Sequence, residues 1–352
     1  MDLKRRLIGW GLDVFGATGV HRLAAPFTRG PGAILMLHRV ADAAPDPAGY
    51  DPNKGLTVRQ DFLDAALTRV RALGFEIVSM DEVADRLHDG LDAARPFVAI
   101  TFDDGYRDTL RAAAPVLRRH GAPYTVYVTP GFADRTARMW WVELEEAVRR
   151  LSHIEIEIGG ESLSLPAGDG AQKTAAFFAI YWRLRALPEP RLLAHCAALA
   201  GQAGLDLSEP ARTLCCDWEE LAEMAADPLC TIGAHTMTHP RLATLPEAQA
   251  RAEMENSRAA IRARLGIEAL HFAYPVGDPS SAGRREFDTA KALGFATGVT
   301  TRPGMLFPEH GGDLLALPRV SVNGGWQRLE VLDILLSGAA FALWNRGKKL
   351  AA

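Results

Sequence analysis

The chain has 352 residues, of which 48% are hydrophobic and 23% charged, an ordinary globular composition with enough apolar residues for a large core. A formal net charge of −4 and a pI near 6.2 argue against nucleic acid as the main partner. No apolar stretch is long enough to span a membrane. The cysteines show no C-x-x-C spacing, which favours a reducing compartment; they are Cys196, Cys215, Cys216 and Cys230.

The first 30 residues form an amphipathic segment. Lys4, Arg5 and Arg6 precede a short apolar run, but Asp13 ends that run too early for a signal peptide. We therefore expect the protein in the cytoplasm or at the cytoplasmic face of the inner membrane. Residues 326–352 are predicted to form a C-terminal helix and a basic tail. Both ends are suited to lying in a membrane interface, and the alternative is that their helices pack on the main domain.

Short apolar runs alternate with helical patterns between residues 31 and 325, which favours βαβ units and a largely parallel sheet. One α/β barrel with an insertion would account for this length. The predicted strands are Ala33–Leu37, Phe75–Ser79, Phe97–Phe102, Tyr124–Thr129, Leu229–Ala234, Leu270–Tyr274, Ala296–Thr300 and Leu315–Val320.

Helical stretches follow most of these strands. Val58–Leu73, Pro246–Leu265 and Ser281–Leu293 each end directly before a glycine, a common C-terminal cap, and Arg107–Arg119 has a similar pattern. Between about residues 131 and 215 the alternation of strand and helix breaks down. We predict a mixed subdomain inserted between two barrel strands there.

Two short polar motifs carry the chemistry. Asp103 and Asp104 follow a predicted strand directly, and His235 and His239 lie four residues apart. Two imidazoles at this spacing can share one ion, and a carboxylate would complete a three-ligand site with an open position. The second acid would then take a proton from water. The alternatives are that Asp103 and Asp104 only cap a helix, and that the histidines form a hydrogen-bonded loop pair.

The strand ends supply a second argument. His38, Asp103, His235 and Tyr274 each come at or just after the end of a predicted strand. In parallel barrels the C-terminal strand ends converge on one face, where catalytic loops lie. These side chains are therefore predicted to meet in one cleft.

Three motifs in this order resemble those of the polysaccharide deacetylase family, the NodB homology domain of carbohydrate esterase family four. They are TFDDGY at residues 101–106, HTMTHP at 235–240 and FAYPVG at 272–277. The resemblance covers most of the chain apart from the insertion. It implies a distorted (β/α) barrel that hydrolyses N-acetyl groups on amino sugars.

The resemblance also implies roles for individual residues. Asp104, His235 and His239 would be the metal ligands and Asp103 the general base. The backbone N–H of Tyr106 would help to stabilise the oxyanion.

The chain departs from the common family pattern at two places. Ala273 stands where many members carry an arginine that orients the base, and Arg319 is a candidate replacement; a structural ion pair is the alternative role for Arg319. No histidine follows the last strand to serve as the catalytic acid. Instead His38 ends the first strand, as in the permuted poly-N-acetylglucosamine and chitooligosaccharide deacetylases. We assign His38 as the general acid, with a structural histidine as the alternative.

Substrate contacts are less constrained by the sequence. Tyr274 would line the sugar site or simply pack, and Pro275 would fix its loop through a cis bond or its rigid φ. Trp140 and Trp141 would form an aromatic platform for a sugar ring, with core packing as the alternative.

Two imidazoles and a carboxylate suit one divalent ion, zinc first, with cobalt, nickel, manganese or iron as other choices. The predicted partner is an N-acetylated glycan, and the sequence leaves the oligomeric state open. Two other functions compete with polysaccharide deacetylation. One is deformylation or deacetylation of a lipid-linked amino sugar at a membrane surface. The other is non-catalytic sugar binding during polysaccharide export.

Overall fold

The computed structural model describes residues 3–42, 46–47, 49–90 and 95–349, with side chains from residue 8 onward. The side chains of Lys4, Arg5 and Arg6 therefore lie outside the described part. The strands are β1 (Gly32–Leu37), β2 (Arg39–Val40), β3 (Thr57–Val58), β4 (Glu76–Val78), β5 (Phe97–Phe102), β6 (Tyr124–Val128), β7 (His153–Ile158), β8 (Glu161–Pro166), β9 (Cys230–Ala234), β10 (His271–Ala273), β11 (Thr297–Pro303) and β12 (Leu317–Ser321).

The helices cover the outside of the sheet and build the insertion. They are α1 (Leu3–Thr18), α2 (Val20–Thr28), α3 (Gln60–Ala72), α4 (Met80–Asp89), α5 (Ala114–Arg119), α6 (Pro130–Ala133), α7 (Trp140–Arg150), α8 (Gly170–Arg185), α9 (Glu189–Gln202), α10 (Glu209–Leu214), α11 (Trp218–Ala225), α12 (Glu247–Leu265), α13 (Arg284–Ala292), α14 (Leu329–Leu336) and α15 (Ala339–Trp344). Within the described ranges, no helix is both long and apolar enough to cross a membrane.

Seven parallel strands close into a barrel in the order β1-β12-β11-β10-β9-β6-β5, and β5 pairs with β1 again. The strand β4 pairs with the beginning of β5, while β6 pairs with its end. The predicted α/β barrel is therefore confirmed. Each predicted strand is present with bounds that differ by at most three residues, because buried parallel strands read as continuous apolar runs.

Side chains of the barrel strands alternate between the lumen and the surrounding helices. Ile34, Ala99, Tyr127, Val299 and Leu317 belong to one buried cluster in the lumen. The neighbours of these residues along each strand pack against the helices in the larger outer core. The lumen is thus filled by side chains, and the open space lies at the strand ends.

The predicted helix Arg107–Arg119 is divided in the structure. A π-helical turn at Thr109–Ala113 precedes α5, so only the last turns of the prediction are α-helical. The predicted C-terminal helix is likewise two helices, α14 and α15, because Gly338 between them has φ 73°.

The chain leaves the barrel between β6 and β9 and forms a second core. The β7–β8 hairpin buries one face, with alternate residues exposed and buried along β7. That face packs with α7, α8 and α9, and the core includes Leu144, Phe177, Ile180 and Leu199. This inserted layer stands beside the mouth of the barrel.

Candidate active site

The charged side chains of the site come from the C-terminal ends of barrel strands. Asp103 and Asp104 follow β5, and His38 follows β1, which pairs with β5 along its whole length. The Asp103 N–H donates to the Leu37 carbonyl (3.1 Å), which continues this pairing one residue beyond the strands. His235 follows β9 in the same way, with its N–H donating to the Val128 carbonyl (2.9 Å).

Asp103 is held by Arg319 through two hydrogen bonds. The Nη1 and Nη2 atoms of Arg319 each lie 2.7 Å from one Asp103 oxygen, and Nε donates to the Thr300 carbonyl. Both side chains are buried. Burial alone would raise the pKa of Asp103, but the charge and hydrogen bonds of Arg319 outweigh it and lower the pKa. Asp103 is therefore kept ionised and fixed in orientation.

Arg319 reaches Asp103 because both lie on the inward register of their strands. Leu317 and Arg319 are two residues apart in β12, and Leu317 is in the lumen cluster. Ala99, Thr101 and Asp103 are likewise spaced by two residues, the first two in β5 and Asp103 directly after it, and Ala99 is also in the lumen cluster. The guanidinium therefore crosses the top of the lumen, where its Nη1 also lies 3.2 Å from the Thr101 hydroxyl.

Asp104, His235 and His239 bring three candidate ligand atoms within 4.8 Å of one another. The Nε2 atoms of His235 and His239 lie 3.4 and 3.2 Å from Asp104 Oδ1. A tetrahedral ion with ligand bonds of about 2.0–2.1 Å separates its ligand atoms by about 3.3 Å. The side chains are thus spaced as a metal site requires.

Two further observations fit a bound cation. Asp104 Oδ1 is buried without a hydrogen-bond partner among the described residues. His235 Nδ1 donates to the Ala273 carbonyl (2.7 Å), since a carbonyl can only accept, and this leaves Nε2 facing Asp104. Burial would raise the pKa of Asp104, but the two imidazoles hold it well below the usual value. A buried carboxylate that stays ionised between two imidazoles suits a divalent metal.

Four residues in the loops around the site have strained backbone conformations. Asp104, Thr236, His239 and Val276 have φ values of 71°, 61°, 66° and 62°, the left-handed region that side chains disfavour. The Thr236 hydroxyl accepts from the His239 N–H (3.0 Å), which stabilises the turn between the two histidines. Such conformations persist only where surrounding contacts hold them, and here they aim the candidate ligands.

His38 lies next to the acid pair. Its Nε2 is 3.9 Å from Asp103 Oδ2, and its side chain is 21% exposed at the cleft. Burial lowers the pKa of His38, and the charges of Asp103 and Asp104 only partly offset this effect. The ring thus lies at the cleft beside the Asp103 oxygen that also contacts Arg319 Nη2.

Tyr106 is anchored to the insertion rather than to the cleft. Its backbone forms an isolated antiparallel bridge with Cys215, and its side chain is buried. In the described part of the chain, the Tyr106 N–H donates to no backbone carbonyl outside the helices and strands. The phenol lines a separate cavity of about 160 Å³. Only the Tyr106 amide remains a candidate for the reaction.

A cleft of about 320 Å³ opens over these residues and contains all of the candidate ligands, Asp103 and His38. Its opposite wall comes from α7 and α8 of the insertion and is strongly aromatic. That wall consists of Trp140, Trp141, Phe177, Phe178, Tyr181 and Trp182.

The structure places Trp140 and Trp141 both in the inserted core and at the cleft. They are 6% and 8% exposed, so packing accounts for most of their surface. The Trp141 ring lies 4.9 Å from the His239 ring and contacts Phe132 edge-on. Trp141 therefore supports a candidate ligand as well as lining the cleft.

The structure contradicts a cleft position for Tyr274 and Pro275. The Tyr274 side chain is fully buried in the outer core, where its hydroxyl donates to the Leu315 carbonyl (2.9 Å). Ala273 occupies the inward register, so the next residue points toward the helices. The bond before Pro275 is trans, and Pro275 is buried outside the cleft lining. Val276 is the residue of this loop that reaches the cleft.

The sequence reasoning missed several residues of the cleft. Asn53, Thr301 and Asn323 add polar groups to the barrel side of the wall, and Tyr181 and Trp182 extend the aromatic side. The position of Thr301 at the end of an apolar strand was a usable signal. Asn53 and Asn323 lie in loops without such a signal.

The sequence pattern of the polysaccharide deacetylase family matches residues 91–298. Among solved structures, the deacetylase PplD of Streptococcus pyogenes in complex with acetate is similar, with 20% identity, coverage of 85% of this chain and 95% of that chain, and a TM-score of 0.56. IcaB from Ammonifex degensii has 19% identity, coverage of 87% and 97%, and a TM-score of 0.53. A polysaccharide deacetylase from Bacillus cereus has 14% identity, coverage of 87% and 68%, and a TM-score of 0.54. No curated protein sequence matches the chain significantly.

Proposed function

Because the chain belongs to the polysaccharide deacetylase family, we propose that it is a metal-dependent hydrolase that removes N-acetyl groups from amino-sugar residues of a poly- or oligosaccharide. The observation that carries this proposal is the trio Asp104, His235 and His239, of which the first two are buried, with the ionised Asp103 beside it. A carboxylate next to a three-ligand site is the arrangement that metal-assisted amide hydrolysis needs.

Asp104, His235 and His239 would hold one divalent ion. Two imidazoles and one carboxylate suit zinc, and cobalt, nickel, manganese or iron are the other candidates. When bound, such an ion polarises the amide carbonyl and lowers the pKa of a nearby water. The remaining steps are proposed for Asp103, His38 and the Tyr106 amide.

Asp103 acts as the general base in this proposal. It is ionised, it faces the cleft, and both its oxygens are positioned by Arg319. It takes a proton from the attacking water as the carbon–oxygen bond forms. Arg319 is a positioning residue that replaces the arginine missing at Ala273.

His38, in its protonated form, acts as the general acid. The amine of the sugar leaves only when its nitrogen is protonated, and His38 lies on the cleft side of Asp103. The Tyr106 N–H is proposed to donate to the oxygen on which negative charge develops. The products are acetate and a free amino sugar unit.

The aromatic wall is proposed to bind the glycan. Sugar rings present apolar faces that stack on aromatic side chains, and Trp182 is half exposed at the rim of this wall. Trp140 and Trp141 would then form the inner part of the platform. On the other side, the Asn53 amide nitrogen already donates to the Trp141 carbonyl (3.1 Å) and to Glu145 (2.7 Å), and Asn323 Oδ1 accepts from the Gly325 N–H (2.8 Å). Asn53 Oδ1 and Asn323 Nδ2 are therefore the groups proposed to bind sugar hydroxyls.

The test is acetate release from chito-oligosaccharides, poly-N-acetylglucosamine, peptidoglycan and a lipid-linked amino sugar, measured with purified protein. We expect release from at least one acetylated glycan, loss of release after chelation, and recovery when zinc is added. Release from the lipid-linked sugar alone would favour the membrane-surface alternative. Stoichiometric metal without release from any of these substrates would favour non-catalytic sugar binding.

A further inference from the structure

The two helices α2 and α15 pack side by side and present apolar residues to solvent. Leu23 and Phe27 of α2 are 77% and 88% exposed, and Leu343 and Trp344 of α15 are 73% and 53% exposed. We refer to the exposed apolar residues of both helices as the terminal surface, which comprises Val20, Leu23, Phe27, Leu343 and Trp344.

The arrangement of α2 is the reverse of the usual amphipathic helix. Val20, Leu23 and Phe27 are spaced by three and four residues, so they lie on one face. In most surface helices that face is buried against the core. Here it points outward, while His21 is the buried residue of the helix.

Positive charge surrounds the terminal surface. The sequence has no Asp or Glu from residue 14 to 41 or from 334 to 352. Arg22, Arg346 and Lys348 are exposed in these segments, whereas Lys349 is paired with Glu309 (2.8 Å). Phe27 and Lys348 also line one groove of about 200 Å³. Apolar and basic groups therefore meet at one place.

The floor of this groove is apolar. Met305, Phe307 and Phe341 line it together with Phe27, and Lys348 and Lys349 line the groove as well. An acyl chain or the glycerol region of a phospholipid would be complementary to the apolar residues, and its phosphate would be complementary to the lysines.

We infer that the terminal surface binds the face of an anionic phospholipid bilayer, with Leu23, Phe27, Leu343 and Trp344 entering the interface and Arg22, Arg346 and Lys348 at the phosphates. Exposed aromatic and aliphatic side chains rimmed by basic residues are the features of an interfacial anchor. This inference goes beyond the proposed deacetylation and holds whatever the substrate is.

The test is flotation of the full chain with vesicles of phosphatidylcholine alone or mixed with phosphatidylglycerol. The wild type is expected to float with the mixed vesicles and to remain largely unbound with phosphatidylcholine alone. The double variant Leu23→Ser with Phe27→Ser should bind more than about tenfold more weakly, since it removes two large apolar groups. Arg346→Glu with Lys348→Glu should lose at least about 25-fold, since removal of each basic residue alone costs roughly fivefold and each glutamate adds repulsion.

The matched control is Arg251→Glu with Arg262→Glu on α12, which packs against α11, α13 and β9. This control carries the same charge change and should float like the wild type, and far-UV circular dichroism should show all variants folded. Equal flotation of the wild type and the Leu23/Phe27 variant would overturn the inference. So would a concentration-dependent dimer in sedimentation that the Leu23/Phe27 variant abolishes, because the terminal surface would then bind a second copy of this chain.

Discussion

The two walls of the cleft differ in chemistry and in origin. The barrel wall carries the carboxylates and imidazoles of the candidate site, which follow strand ends or, for His239, lie in the turn after β9. The inserted wall is aromatic and comes from α7 and α8, which pack on their own core. The comparison indicates that the barrel supplies the reaction, while the insertion shapes what can reach it. Substitutions on the two walls should therefore have different kinetic effects.

The largest effect is expected for Asp104→Ala. Asp104 Oδ1 lies close to the Nε2 atoms of both histidines. Loss of a residue that only hydrogen bonds to a metal ligand weakens metal binding by up to about 100-fold, so loss of Asp104, a proposed ligand, should weaken it by more than that. Acetate release should fall to background, and metal content should fall with it. Asp227→Ala is a matched control, because Asp227 is a buried acid paired with Arg118. Full metal occupancy in Asp104→Ala would refute the three-ligand site.

His38→Asn should lower kcat by about 10²–10⁴ while metal content is unchanged, because only the general acid is lost. With 4-nitrophenyl acetate, whose leaving group needs no proton, the variant should remain close to the wild type. An equal loss with both substrates would mean that His38 supports the site structurally.

Arg319→Lys should lower kcat by about 10–100-fold, because lysine keeps the charge but cannot make the two-pronged contact. Arg319 lowers the pKa of Asp103, so weakening the contact raises that pKa. Since the base must be ionised, the acidic limb of the kcat/KM profile should shift to higher pH. An unchanged pH profile with reduced stability would leave Arg319 a purely structural role.

Trp182→Ala tests the inserted wall. Trp182 is half exposed at the rim, so its removal should leave the fold intact and raise KM for a glycan about 5–100-fold, as expected for loss of about 1–3 kcal/mol of binding. Its kcat and metal content should stay near those of the wild type. Trp10→Ala provides the control, because Trp10 on α1 is a similarly exposed tryptophan (69%) outside the cleft. A fall in kcat without a change in KM would contradict the division between the walls.

The smallest effect is expected for Tyr274→Phe. The hydroxyl donates to the Leu315 carbonyl in the outer core, so its loss should cost about 1 kcal/mol of unfolding free energy. KM and kcat should be unchanged. A raised KM would instead indicate that Tyr274 contacts the substrate.

The sequence was sufficient for the barrel because each strand is a separate apolar run followed by polar residues. It also selected Asp103, Asp104, His235 and His239 as candidates, because polar residues after such runs share one rim and the spacing of four residues pairs the two histidines. Arg319 was a weaker inference, although its spacing from Leu317 places it on the inward register.

Other features depend on contacts that no local pattern contains. The predicted cleft position of Tyr274 was wrong, because side chains alternate along a strand and a shift of one residue moves a side chain from the lumen to the outer layer. Trp182 and Asn323 lie far apart in the chain, and only the packing of the insertion against the barrel places them in one cleft. The break between α14 and α15 is an exception, because Ser337 and Gly338 form a local turn signal that the prediction of a single helix did not use.

The pairing of β1 with both β5 and β12 has a consequence for biosynthesis. The final strand of the barrel is completed at Ser321, 289 positions after β1 begins at Gly32. At about 5–20 residues per second, a ribosome needs roughly 15–60 s for this interval. During that time one edge of β1 lacks its neighbour, and Asp103 is made long before its guanidinium partner. The nascent chain therefore has an open sheet edge that a chaperone could shield, and competence for catalysis arises only near the end of translation.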